Sequence, residues 1–130
     1  MNRFQKHYIV TGGAGFIGSQ VIRELLLNED IKVTCIDNFD PFYSKEIKQL
    51  HISGFINHPN FTLLTVDLDT ITPNGLGEAM STPVDAIIHL AAKAGVRPSI
   101  ADPIGYQKTN ILGTQNLLDY AVQTGVKRFV

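Results

Sequence analysis

The chain has 130 residues, of which 44% are hydrophobic, and its formal net charge is −1. This length and composition suit one domain with a packed core and exclude a disordered or membrane-spanning protein. A near-neutral charge with scattered basic residues gives no electrostatic footprint for nucleic acid or for an acidic membrane. We therefore expect no nucleic-acid partner and no membrane partner.

The start of the chain and its cysteine content bear on location. The segment Met1–His7 has no apolar signal-peptide core, which predicts a cytoplasmic location. The single cysteine, Cys35, excludes a disulfide within the chain, as is typical of a reducing compartment. We interpret Cys35 as a small buried strand residue rather than a redox thiol.

Short segments rich in Val and Ile alternate along the chain with segments of helical periodicity. The predicted strands are His7–Thr11, Lys32–Ile36, Phe61–Val66, Ala86–Leu90 and Lys127–Val130. The predicted helices are Phe16–Leu27, Ser44–Ile56, a short helix around Glu78, and Pro103–Thr124, with Asp102 as its cap and Gly125 after its end. This alternation predicts right-handed crossovers and a parallel sheet.

Three glycines at a spacing of three follow the first predicted strand: Gly12, Gly15 and Gly18. Gly12 permits a tight turn, Gly15 lets the backbone approach a pyrophosphate, and Gly18 lets the next helix pack closely. The start of that helix, which includes Phe16 and Ile17, offers unpaired N–H groups and a positive dipole end to phosphate. The pattern predicts a dinucleotide-binding turn, and a tight turn without a ligand is the alternative.

Asp37 ends the second predicted strand, 19 residues after Gly18. A carboxylate about 20 residues beyond such a turn accepts hydrogen bonds from the hydroxyls of an adenosine ribose. It also repels a 2′-phosphate. No Arg or Lys occurs from Asn38 to Ser44, and Asp40 adds negative charge. These residues predict NAD as the cofactor in preference to NADP.

The glycine pattern together with Asp37 resembles the extended short-chain dehydrogenases/reductases, the family of NAD-dependent nucleotide-sugar epimerases and dehydratases. Further matching motifs are Asp67-Leu68, His89-Leu90-Ala91-Ala92 and Thr109-Asn110-Ile111-Leu112-Gly113-Thr114. The resemblance implies an α/β fold: a Rossmann-type, doubly wound parallel sheet with strand order 3-2-1-4-5, truncated in the fifth strand. It also implies adenine contacts from Asp67 and Leu68, and a segment beneath the nicotinamide ribose formed by Leu90, Ala91 and Ala92.

Two segments are similar to UDP-glucuronate 4-epimerases: Asp37–Tyr43, which adds Asn38 to the cofactor contacts, and Ala92–Ser99. UDP-glucose 4-epimerases and dTDP-glucose 4,6-dehydratases share much of the pattern. The implied reaction is transient oxidation at C4 of a UDP-sugar, rotation of the keto sugar, and return of the same hydride to its other face.

The resemblance implies weaker roles for several single residues. Lys93 is expected to contact the cofactor ribose, with an exposed loop lysine as the alternative. Arg97, Ser99 and Asn110 are expected to contact the substrate, although a structural loop charge is an equal alternative for Arg97. We interpret His89 as a core histidine with satisfied hydrogen bonds. The four histidines are dispersed and there is no cysteine cluster, so we expect no metal site.

The family's chemistry needs a Tyr-x-x-x-Lys pair, in which the lysine lowers the pKa of the tyrosine that takes the substrate proton. No lysine of this chain has a tyrosine four residues before it. We therefore expect residues 1–130 to be the N-terminal, NAD-binding part of a longer enzyme, without catalytic residues or a substrate domain, and inactive alone. A non-catalytic NAD-binding sensor is the alternative.

The resemblance also implies how copies of the chain associate. Family members commonly dimerise through the helix that corresponds to Pro103–Thr124. We expect exposed apolar surface at Ile111, Leu118 and Val122, and homodimer formation or self-association through that helix.

Overall fold

The computed structural model describes residues 5–130. Strands and helices alternate along this range as the sequence predicts. The elements are β1 (Lys6–Thr11), α1 (Phe16–Leu25), β2 (Ile31–Ile36), α2 (Lys45–Ile52), β3 (Phe61–Leu64), α3 (Pro73–Ala79), β4 (Ala86–His89), α4 (Val96–Ala101), α5 (Pro103–Gln107), a π-helical turn (Lys108–Leu112), α6 (Gly113–Thr124) and β5 (Arg128–Phe129).

All five strands pair in parallel in the order β3-β2-β1-β4-β5, which confirms the predicted topology. Strand β1 lies in the centre, and its alternate residues face opposite layers. Val10 packs in a core cluster with Ile22 of α1, whereas Ile9 packs in a second cluster with Leu117 of α6. Because both faces of the sheet are covered, the strands are apolar on both sides.

The predicted helix ends are close to the observed ones, and capping explains them. The Ser44 side chain accepts a hydrogen bond from the Ile47 N–H at the start of α2, and Thr72 does the same for Gly75 in α3. Helix α2 ends at Ile52, four residues before its predicted end. The short helix expected around Glu78 is α3.

The prediction of one continuous helix over Pro103–Thr124 is wrong. The Asp102 cap and the left-handed Gly125 are as expected, but a π-helical turn at Lys108–Leu112 separates α5 from α6. A further helix, α4, precedes them and was not predicted. Its six residues bury no side chain, so they lack the apolar periodicity that reveals a helix in a sequence.

At the amino ends of the strands, His7 is buried and its ring connects three segments. Its Nε2 lies 2.8 Å from the Thr34 hydroxyl of β2, and its Nδ1 lies 3.1 Å from the Thr82 carbonyl oxygen. The His7 N–H donates to the Asp85 carboxylate over 2.8 Å. Burial lowers the pKa of His7, so the neutral ring is favoured in the folded protein.

Cys35 is fully buried in β2, which confirms its interpretation as a strand residue. Its sulfur lies beneath the turn that follows β1, where a Cβ on Gly13 would contact it. Burial raises the pKa of the Cys35 thiol to about 12. The thiol is therefore protonated and unreactive in the folded protein.

No helix within residues 5–130 is long and apolar enough to cross a membrane. The first four residues of the Met1–His7 segment, which entered the prediction of location, lie outside the described range.

Candidate functional site

A crevice of about 390 Å³ opens at the carboxyl ends of β1, β2 and β4. This is the edge at which the order of the strands reverses around β1, the position where open parallel sheets bind ligands. The crevice wall contains every predicted cofactor residue except Asp67, namely Gly12, Gly15, Phe16, Ile17, Gly18, Asp37, Asn38, Leu68, Leu90, Ala91, Ala92 and Lys93.

The glycine turn holds the end of β1 against both α1 and the loop after β4. Gly12 has a φ of 68°, and a Cβ there would lie 2.8 Å from the Ala91 nitrogen. A Cβ on Gly18 would overlap the carbonyl oxygen of Gly12. Larger residues at either position therefore require the turn to move.

The N-terminus of α1 meets the requirements of a phosphate site. Gly15 is its N-cap residue, and no side chain caps this end, so first-turn N–H groups are left for another acceptor. A Cβ on Gly15 would meet only the Gly12 carbonyl oxygen, at 3.2 Å. The approach to this helix end is open, and the helix dipole favours an anion there.

Asp37 lies at the end of β2 and connects three parts of the crevice wall. Its Oδ2 accepts a hydrogen bond from the Ala14 N–H over 3.1 Å, and its Oδ1 accepts one from the Phe39 N–H over 2.8 Å. The ammonium group of Lys48 also donates to Oδ1, over 3.4 Å. The carboxylate is thereby fixed relative to the glycine turn and to α2.

Lys48 is a crevice residue that the sequence analysis missed. It lies in α2, four residues before the buried Ile52, and it is itself only 8% exposed. A signal was present, because helical spacing from Ile52 places Lys48 on the buried face of the helix. The predicted preference for NAD rests on the interval from Asn38 to Ser44, which ends before α2.

Asp67 is exposed and is not part of the crevice wall. Its Oδ1 accepts a hydrogen bond from the Asn38 side chain over 2.6 Å, so it orients a residue that lines the crevice. Leu68 lines the crevice directly, and its carbonyl oxygen accepts a hydrogen bond from Asn116 of α6 over 2.7 Å. Of the predicted adenine pair, only Leu68 lines the crevice, and Asp67 contacts the crevice wall through Asn38.

His89 connects the loop after β4 to β1 and to α6. The Thr114 hydroxyl lies 2.7 Å from the Asn110 carbonyl oxygen, which only accepts, so Thr114 donates there and accepts from His89 Nε2–H at 2.8 Å. His89 Nδ1 therefore accepts from the Thr11 hydroxyl, 2.6 Å away. Burial lowers the pKa of His89, which favours this neutral ring. Both ring nitrogens of His89 are hydrogen-bonded, as the sequence interpretation expects, but the side chain is half-buried and lies outside the core clusters.

The Thr11 hydroxyl oxygen in turn accepts hydrogen bonds from the Leu90 and Ala91 N–H groups, over 3.0 and 3.1 Å. Both residues line the crevice. The His89 ring thereby fixes the orientation of a hydroxyl that holds the backbone of the crevice wall.

Lys93 and Asn110 form a second connection across this side of the crevice. Asn110 lies in the π-helical turn, where its Oδ1 accepts from the Lys93 N–H over 2.8 Å and its Nδ2 donates to the Lys93 carbonyl over 3.1 Å. The Lys93 ammonium lies 3.8 Å from Asp40 and 4.0 Å from Asp102. Both polar atoms of Asn110 are engaged by the protein's own backbone, and Lys93 is not a free loop lysine.

The structure brings none of the three expected substrate residues, Arg97, Ser99 and Asn110, to the crevice wall. Arg97 and Ser99 lie in α4, where the Arg97 side chain is exposed. The Ser99 hydroxyl donates to the Val96 carbonyl oxygen over 2.5 Å. In the range 5–130, no three His, Cys, Asp or Glu side chains are grouped so that they could hold a metal ion.

Comparison with known proteins agrees with this geometry. The profile of the NAD dependent epimerase/dehydratase family matches residues 8–130. A UDP-glucuronate 4-epimerase from Thermodesulfobacterium geofontis is 38% identical over 125 residues, which are 95% of this chain and 38% of that protein. A dTDP-glucose 4,6-dehydratase from Streptomyces griseus is 34% identical over 127 residues, covering 95% of this chain and 36% of the relative.

Among solved structures, a UDP-glucuronic acid 4-epimerase from Bacillus cereus, in complex with UDP-glucuronic acid and NAD, superimposes with a TM-score of 0.84. It is 31% identical, and the match covers 95% of this chain and 38% of that one. Because the family profile spans nearly all of the residues described here, the chain belongs to the NAD-dependent epimerase/dehydratase family.

Proposed function

We propose that this chain forms the NAD-binding portion of a nucleotide-sugar 4-epimerase of the UDP-glucuronate 4-epimerase type. One observation carries the proposal: the glycine turn, the uncapped start of α1 and the Asp37 carboxylate line a single crevice. They supply, in order, close backbone approach, N–H donors for a pyrophosphate and an acceptor for ribose hydroxyls.

The residues of the crevice divide the task of holding NAD. Gly15, Phe16 and Ile17 provide the backbone that faces the phosphates. Asp37 and Asn38 serve the adenosine side, with Leu68 beside the adenine. Bound NAD supplies reversible acceptance of a hydride from C4 of the sugar. The loop of Leu90, Ala91, Ala92 and Lys93 supports the nicotinamide half, fixed in place by His89 and Asn110.

The substrate and the acid–base groups are proposals for the whole enzyme. The similarity to UDP-glucuronate 4-epimerases supports a UDP-sugar, and the similarity to a dTDP-glucose 4,6-dehydratase keeps a dehydratase as the second candidate. Since no Tyr-x-x-x-Lys pair occurs in these 130 residues, we expect the chain alone to bind NAD and to leave UDP-glucuronate unchanged. The cytoplasmic location remains a prediction from the sequence.

Calorimetric titration of the wild-type chain and of the Gly15→Ala variant with NAD tests the proposal. The added methyl group would make one close contact, 3.2 Å from the Gly12 carbonyl oxygen, and would occupy the approach to the start of α1. We expect the affinity for NAD to fall about tenfold or more as phosphate hydrogen bonds are lost. Gly54→Ala is the matched control, because a Cβ at Gly54 has nothing within 4 Å.

Three results would contradict parts of this proposal. If the wild-type chain does not bind NAD, the proposed cofactor site is wrong. If Gly15→Ala and Gly54→Ala bind NAD with equal affinity, the proposed role of the glycine turn is wrong. If the purified 130-residue chain converts UDP-glucuronate, the acid–base groups are not confined to other residues of a longer enzyme. If the complete reading frame of the gene that encodes this chain contains no Tyr-x-x-x-Lys, the NAD-sensor alternative is favoured.

A further inference from the structure

Lys48 and Asp37 form a buried ion pair on the wall of the cofactor crevice. Their side chains are 10% and 5% exposed, and Lys48 Nζ lies 3.4 Å from Asp37 Oδ1. Both side chains line the crevice itself. A lysine is rarely buried to this extent unless its charge is paired, so the position of Lys48 requires an explanation.

The hydrogen bonds of Asp37 limit how it can recognise a ribose. Each carboxylate oxygen has about two acceptor positions. Oδ1 already accepts from the Phe39 N–H and from Lys48, whereas Oδ2 accepts only from the Ala14 N–H. One acceptor position remains, on Oδ2. A ribose presents two neighbouring hydroxyls, so the carboxylate alone accepts from one of them.

Lys48 has the donors that the second hydroxyl needs. An ammonium group carries three N–H donors and no acceptor. Within residues 5–130, Lys48 forms one hydrogen bond, to Asp37, and its charge lies 5.9 Å from the centre of the Phe39 ring. Two donors are therefore left on a group that lines the crevice beside Asp37.

We propose that Lys48 is a specificity-determining residue of the ribose site: one hydroxyl donates to Asp37 Oδ2, and its neighbour accepts from the Lys48 ammonium. This rests on the proposed NAD site and deepens it. The same pair sets the preference between NAD and NADP. Asp37 repels a 2′-phosphate, and its carboxylate neutralises the charge of Lys48. Lys48 can therefore attract the 2′-phosphate of NADP only when the carboxylate is removed.

Titration of wild-type and variant chains with NAD and with NADP tests this assignment. In Lys48→Gln a neutral amide still reaches toward Asp37, and we expect NAD affinity to fall about tenfold. Lys45→Gln is the matched control, because Lys45 is exposed, lies in the same helix and is absent from the crevice wall. Its NAD affinity should equal that of the wild type.

Asp37→Asn gives a second measurement, the ratio of NADP to NAD affinity, to which a lysine with a purely structural role would not contribute. With the carboxylate neutralised, the unpaired Lys48 charge faces the ribose site. The ratio of NADP to NAD affinity should therefore rise about tenfold or more. In the double variant Asp37→Asn, Lys48→Gln, the part of the rise that comes from the Lys48 charge should disappear, and only the part that comes from the loss of Asp37 repulsion should remain. Thermal melting of each variant establishes that it is folded.

The outcomes separate this inference from the proposed function. Unchanged NAD affinity in folded Lys48→Gln, or a gain of NADP affinity in the double variant as large as that in Asp37→Asn, overturns the role of Lys48 and leaves the NAD site standing. If Lys48→Gln does not fold, the double variant Asp37→Asn, Lys48→Met takes its place, because it leaves no buried charge unpaired: a smaller gain of NADP affinity than in Asp37→Asn supports the inference, and an equal gain overturns it. If the wild type does not bind NAD, both the proposed NAD site and the proposed role of Lys48 are wrong.

Discussion

Two hydrogen-bonded histidines lie at opposite ends of the strands, His7 buried and His89 half-buried, and they have different consequences for the crevice. His7 and His89 each lie between threonine side chains, and burial lowers the pKa of both rings. His7 connects β1, β2 and the segment before β4 at the amino ends, away from the crevice. His89 orients the Thr11 hydroxyl that holds crevice-lining backbone.

The difference shows how a parallel sheet separates stability from function. All carboxyl ends of the strands meet at one edge, so loops that bind ligands collect there. The amino ends form the other edge, and a buried hydrogen-bonded side chain there contributes to stability alone. Variants at each edge test whether effects on stability and effects on NAD binding can be separated in this way.

The largest effect is expected at Gly12, where the end of β1 touches the loop after β4. In Gly12→Ala the methyl group would lie 2.8 Å from the Ala91 nitrogen, at a φ of 68°. Strain and overpacking together should lower the free energy of unfolding by about 3 kcal/mol and weaken NAD binding. Urea unfolding and NAD titration measure the two effects.

Gly77→Ala is the control for this change. Gly77 lies in α3, and a Cβ there meets nothing within 4 Å. Alanine is the better helix former, so a gain of about 0.5–1 kcal/mol is expected. Equal stability of the two variants would show that the loop after β4 is not fixed against the turn.

His7→Gln and His89→Gln separate the two edges directly. Each variant loses the hydrogen bonds of a buried or half-buried ring, and each should lower the free energy of unfolding by about 1–2 kcal/mol. Only His89→Gln should weaken NAD binding, because only its partner Thr11 holds the crevice wall. Measured NAD affinities that fall equally in both variants would refute the separation.

The pH dependence of stability should carry a contribution from both histidines. Their folded-state pKa values are lowered from 6.5, so the unfolded chain binds protons more readily than the folded one. Their contribution is full above pH 6.5 and is lost as the pH falls through the lowered values. Urea unfolding at a series of pH values should show a shallower decline in each Gln variant than in the wild type. An unchanged slope would contradict the burial of a neutral ring.

The smallest effect on stability is expected at Val122, on the outer face of α6, which is 83% exposed. Ile111, also exposed, and Leu118 extend the same apolar surface, through which self-association remains a prediction. Val122→Asp should reduce association in sedimentation experiments and change unfolding by less than about 0.5 kcal/mol. A wild-type chain that stays monomeric at high concentration would contradict the predicted contact.

Local patterns were sufficient to predict the sheet, the glycine turn and Asp37, because each depends on residues close together in the chain. Lys48 was missed because its proximity to Asp37 arises only when α2 folds back over the crevice. The π-helical turn was missed because a single widened turn has no residue composition of its own that distinguishes it from an α-helix. Asn110 is expected from the resemblance to contact the substrate, whereas its partner in the structure is the backbone of Lys93.

The unreactive Cys35 gives the glycine turn an internal reporter. Its thiol is covered by Gly13 and is protonated at neutral pH, so an alkylating reagent reaches it only when that turn separates from β2. Since Cys35 is the single cysteine of the sequence, its rate of alkylation measures how often the phosphate-facing loop opens. A ligand that seals the crevice should slow that rate in proportion to its occupancy.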